Sequence, residues 1–153
     1  MGVASAATVV LGGCGASTTV RDPTPSAVRK PAKIGYLSPN ADLSPSSIWA
    51  ALAQVGWIRG SNLDVVFRFA YADTAPEMAR EVIDEGVQLI MTEGEPQARA
   101  AREATDRIPI VMLSIEDALA SGLVSSLARP GGNVTGVSLL GPQLAAKRVQ
   151  LLH

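Results

Sequence analysis

The residues able to do chemistry in this chain are mostly acids and hydroxyls, and they gather just after apolar runs. Thr92-Glu93-Gly94-Glu95 follows residues 87–91, and Ser114-Ile115-Glu116-Asp117 follows residues 108–113. Ser38-Pro39-Asn40 follows residues 33–37, and Tyr71-Ala72-Asp73 comes shortly after residues 63–69. Two close carboxylates can divide general acid and base work, as a hydrolase needs. Glu93 with Glu95, and Glu116 with Asp117, have suitable spacing. Two other readings compete with that one. Acids at helix starts offset the helix dipole, and acids in a cleft hold an ammonium or other cationic group. Ser38 and Ser114 have no histidine partner for a Ser-His triad, because the one histidine is His153 at the chain end. With one Cys and one His, neither a Cys/His zinc cluster nor an internal disulfide can form. No G-x-G-x-x-G, Walker A or G-x-S-x-G pattern occurs, so no cofactor, metal or catalytic residue is expected.

The elements that must position these residues alternate regularly. KIGYL (33–37) reads as a short strand. Ser44-Pro45 then starts a helix with Ile48, Ala51, Leu52 and Val55 on one stripe. LDVVFRF (63–69) alternates, with Leu63, Val65, Phe67 and Phe69 opposite Asp64, Val66 and Arg68. Thr74-Ala75-Pro76-Glu77 has the form of a capping box before a second helix. VQLIM (87–91) is a buried-type strand, and Pro96 opens an Ala-rich helix that runs through Thr105. IPIVML (108–113) is a fourth strand, and Asp117 is expected to cap a fourth helix with Leu119, Leu123 and Leu127 inward. In SLARPGGNVTGVS (126–138), Pro130 stops that helix and Gly131-Gly132-Asn133 turns the chain into a fifth strand over 134–138. Strand-helix alternation with short connections implies an α/β fold, a doubly wound parallel sheet that is Rossmann-like. Ligands of such sheets bind outside the carboxyl ends of the strands. Trp57 is expected to cap the core and Trp49 to be partly buried beside a helix, with a place in a ligand cleft as the alternative for Trp49.

Composition narrows the function classes. A net charge near −1 argues against nucleic acid as the main partner. No run of 18 apolar residues marks a membrane span. Aromatics make up 4%, so the core must be built mostly from Ala, Val, Leu and Ile. Residues 1–14 read as a lipoprotein-type signal remnant. Leu11-Gly12-Gly13-Cys14 stands where such signals are cut, which makes Cys14 the candidate lipidation site, although a basic n-region is missing; a plain signal peptide or a disordered, Ala-rich leader is the alternative. Residues 15–32 are rich in Ser, Thr and Pro and read as a flexible tether. Together these place the protein in the periplasm or on the outer face of the cell membrane, with membrane contact only through a lipid anchor.

The succession KIGYLSP, ALAQVGWIRGSNLDVVFRFA, LIMTEGEPQARAAREATDRIPIVML and SGLVSSLARPGGNVTGVS resembles the ABC-transporter substrate-binding proteins of the type with tryptophan- and tyrosine-binding members. The resemblance covers about residues 33–152. It implies a type I periplasmic-binding fold, in which two lobes close on a small amino-acid-like ligand and then dock on a membrane ABC permease, without catalytic residues. It also implies that residues 33–138 are the N-terminal ligand-binding lobe. Residues 139–153 would then be the crossover and first helix of a missing second lobe, with Ala145, Val149 and Leu152 as that helix's buried face. The ligand-binding residues it implies are Ser38, Pro39, Thr92, Glu93, Gly94, Glu95, Ser114 and Asp117. Glu93 and Glu95 depart from the family's T-x-G-T-P-A pattern and would repel a ligand carboxylate. A cationic or neutral ligand, or lost binding, is the expectation. Three other readings stand beside this one: a sensory binding module, an α/β hydrolase using the acids, and a non-functional truncation.

Overall fold

The computed structural model describes residues 30–40, 46–139, 147, 150 and 151. The expected signal, Cys14, nearly all of the tether, the Ser44-Pro45 helix start and most of the 141–152 helix lie outside the described residues. The elements are β1 (Ala32–Ser38), α1 (Ser46–Gln54), β2 (Leu63–Phe69), α2 (Ala75–Asp84), β3 (Leu89–Glu93), α3 (Glu95–Ala104), β4 (Ile110–Ile115) and β5 (Val134–Ser138). The five strands form one sheet in the order β2-β1-β3-β4-β5, and every pair is parallel. This is the doubly wound α/β class that the alternation implied.

The strand order decides which face each helix covers. The chain steps from β1 to β2 in one direction, then crosses back over β1 to reach β3 and continues to β4. With right-handed crossovers, α1 must cover one face, and α2 and α3 the other. The packing agrees. Ile48, Trp49 and Leu52 of α1 pack on Ile34, Tyr36, Leu63 and Met91. Ala75, Ala79 and Val82 of α2, with Ala98 and Ala101 of α3, share the opposite core with Leu37, Ile90, Ile110 and Met112. Alanines let these two helices lie close to the sheet. Gly35 serves the same end, because a Cβ there would meet Val82 Cγ1 at 2.1 Å. The alternation expected in β2 is present, with Leu63, Val65 and Phe67 on the α1 face and Val66 on the other.

Three local expectations are corrected. First, β3 and β4 are shifted by two residues toward their carboxyl ends, since Thr92 still pairs with Met112, and Glu93 with Ser114. Thr92, Glu93 and Ser114 are therefore strand residues and point to alternating faces. Second, the Thr74 capping box does not form. Thr74 makes no side-chain cap bond to α2, and its Oγ1 instead accepts from Tyr71 N at 3.0 Å. Third, the described residues 117–130 form turns rather than a fourth helix. Leu123 is buried, whereas Leu119 and Leu127 are exposed. Gly122 takes a positive φ of 70°. Two α3 arginines also pin this stretch through its carbonyls, Arg99 to Ser121 O and Arg102 to Gly122 O. The Leu spacing was helical, but Gly and Ser interruptions and these tertiary bonds decide the path. The buried end of the turn still covers the α2/α3 face, through Ala118, Leu123 and Val124.

Candidate functional site at the strand ends

The order of connections reverses between β1 and β3, where the loops after the two strands leave toward opposite faces. In open α/β sheets this switch point is the usual ligand crevice. Ser38 ends β1 and Glu93 ends β3, one residue beyond the last ladder pair, Leu37 with Thr92. They are therefore neighbours on the α1 face. Ser38 Oγ donates to Glu93 Oε2 at 2.7 Å, and Tyr36 OH donates to the same oxygen at 3.1 Å. Asn40 N donates to Ser38 Oγ at 3.0 Å, which orients the hydroxyl. Tyr36 and Ser38 are both 0% exposed, while Glu93 is half-buried at the rim.

Tyr36 was not singled out in the sequence. The signal was available, because residues two apart in a strand share a face, so Tyr36 had to lie beneath Ser38. Its ring packs edge-on against Trp49 and Phe67, with centroids at 5.9 and 5.7 Å. Burial first, then the charge of Glu93 and the hydrogen bond to it, push the Tyr36 phenol up from 10.0 to about 12, while Ser38 opposes the shift. Trp49 is thus half-buried against Tyr36, and it carries the Arg59 guanidinium at 5.4 Å from its ring centroid. Trp57 is partly buried on the same core, as expected for a cap.

The remaining expected residues are dispersed. Glu95 does not join Glu93, since it pairs with Arg99 one helical turn later at 2.7 Å. The supposed acid pair is therefore two carboxylates with separate partners. Asp117 Oδ1 accepts from Leu119 N at 3.1 Å and Ala120 N at 2.9 Å, so it caps the turn rather than a helix. Ser114 is exposed and opposite Glu93 in register. Pro39 is half-buried after Ser38. Gly94 caps α3 with φ 100° and ψ 156°, a backbone region open essentially to Gly. A Cβ at Gly94 would also lie 2.5 Å from Gln97 Oε1. Gln97 is 2% exposed and bonds Ala70 O at the end of β2 through Nε2. Gln97 Oε1 and Thr92 Oγ1 are buried without a protein partner among the described residues. Both are exceptions to the usual pairing of buried polar atoms. A groove of about 420 Å³ between α2 and α3 lies away from this edge and is lined by none of the expected site residues. Among the described residues, no group of three or more His, Cys, Asp or Glu could hold a metal ion, and no helix is long and apolar enough to cross a membrane.

A parallel sheet in this order, with polar residues at the switch point, is a framework on which open α/β proteins carry ligand crevices. The chain belongs to the ABC transporter substrate binding protein family, whose model matches residues 38–153. It is 36% identical over 102 residues to a tyrosine-binding protein of Clostridioides difficile, covering 65% of this chain and 30% of that one. A Streptococcus pneumoniae ABC domain solved in complex with L-Trp is similar, with 30% identity and a TM-score of 0.63 over 71% of this chain and 39% of its own. So is the ligand-free, open form of a Clostridium difficile substrate binding protein with adhesive properties, with 31% identity and a TM-score of 0.63 over 70% of this chain and 38% of its own. The chain thus spans well under half the length of these relatives.

Proposed function

We propose that this chain is the N-terminal ligand-binding lobe of a solute-binding component of an ABC uptake transporter. It takes a small amino-acid-like molecule at the β1/β3 edge and presents it to a membrane permease. The observation that carries the reading is the family match over residues 38–153, joined to a polar edge built from Ser38, Glu93 and Gly94 at the switch point. Pro39, Thr92, Glu95, Ser114 and Asp117 belong to the same proposed edge, with Asp117 shaping its loop. A second lobe closing over this edge, export to the outer face of the membrane and acylation of Cys14 are parts of the same proposal. The acids have separate partners, so binding is a better reading than hydrolysis.

The test is thermal unfolding of the full-length native chain with a panel of amino acids and small amines. A true ligand at a hundred times its Kd stabilises by about 2.7 kcal/mol. A flat response across the whole panel refutes the reading.

A further inference from the structure

We propose that Glu93 is an internal anion that occupies the hydroxyl donors of this edge, and that it selects a small organic amine without a neighbouring carboxylate. The inference rests on the solute-binding reading and names its ligand class.

A hydroxyl has one proton to donate. Ser38 gives its proton to Glu93 Oε2 at 2.7 Å, and Tyr36 gives its own to the same atom at 3.1 Å. Neither is left to hold a carboxylate brought by a ligand. The other Glu93 oxygen, Oε1, accepts no bond, and no Lys or Arg ion-pairs with Glu93 among the described residues. This is a half-buried carboxylate, held in place by two neutral donors, with no cation paired to it among the described residues. Gln97 Oε1, which is 2% exposed and unpartnered, lies at Gly94, the residue after Glu93. The edge thus sets an open carboxylate oxygen and an amide oxygen beside the backbone N–H groups that start α3. An ammonium group supplies donors and positive charge together, and its bond to a carboxylate is of the strong charge-assisted kind. A zwitterionic amino acid would bring a second carboxylate against the first, and like charges at close range disfavour the complex. Glu95 cannot take this role, because Arg99 already neutralises it.

The test is calorimetric titration of the full-length native chain with three matched pairs: tyramine and L-tyrosine, tryptamine and L-tryptophan, cadaverine and L-lysine. Members of each pair differ only in the carboxylate. At least one amine is expected to bind about tenfold or more tightly than its amino acid, the size of one charge-assisted hydrogen bond. Glu93→Gln keeps the shape, removes the charge and should shrink that ratio about tenfold. Amino acids binding more tightly than their amines, or a ratio unchanged by Glu93→Gln, overturns the inference while the solute-binding reading stands. If no member of any pair binds, the inference falls, and the thermal panel decides the solute-binding reading separately. The native ratio decides the matter even where the variant fails to fold.

Discussion

The most informative perturbation is alkaline pH, because it acts on the buried phenol beneath the site. Tyr36 lies above its ordinary value of 10.0, at about 12, while the unfolded chain has the ordinary value. The folded state therefore keeps its proton longer than the unfolded state does. The resulting stabilisation is complete below pH 10 and is lost as pH rises from 10.0 to about 12. Each pH unit of difference corresponds to about 1.4 kcal/mol, so the full effect is at most about 2.7 kcal/mol. Part of the shift comes from Glu93, whose half-exposed charge is screened by solvent, which reduces the expectation to about 1–2 kcal/mol. The chain has two tyrosines, Tyr36 in the core and Tyr71 at the surface. Phenolate absorbance from Tyr36 should rise well above pH 10 and should be missing from Tyr36→Phe. Urea unfolding across the same window should show a fall in stability that Tyr36→Phe removes. The difference between the two proteins, not either profile alone, reports Tyr36. Glu93→Gln should lower the Tyr36 step only in part, because burial is the larger cause. A Tyr36 phenolate that forms near pH 10 while the circular dichroism stays native would refute the reasoning. So would superimposable stability profiles for the native chain and Tyr36→Phe.

Two substitutions test the frame around the site. Gly94→Ala forces a side chain into a Gly-only backbone region and against Gln97 Oε1, and should cost about 1–3 kcal/mol in urea unfolding; a loss under a few tenths would mean that the turn relaxes freely. Asp117→Ala removes the acceptor for two turn N–H groups and should cost about 1 kcal/mol in urea unfolding; no loss would mean that the turn holds without this cap.

Much of this architecture was legible in the sequence, because strand and helix signals are local. Alternation in residues 63–69, helix stripes at 3.6-residue spacing and Gly stops depend on near neighbours only. The same signals misplaced what long-range contacts decide. The apolar runs ended β3 and β4 too early, because polar residues such as Thr92 and Ser114 stay in a ladder when a neighbouring strand supplies the partner. The Leu119, Leu123 and Leu127 spacing is helical, yet Gly122 and the α3 arginines give that stretch another path.

What the sequence determined by itself is the class: a parallel, doubly wound sheet with its polar groups at the strand ends. Only the tertiary structure decided what those groups do. Glu93 and Glu95 are two residues apart in the chain, and spacing alone made them a pair. In space Glu93 ends a strand and meets Ser38 and Tyr36, which lie 55 and 57 residues away, while Glu95 starts a helix and turns to Arg99. The physical reason is that a strand's pleat and a helix's rise assign a face to each residue, and strand order then chooses its partner from a distant part of the chain.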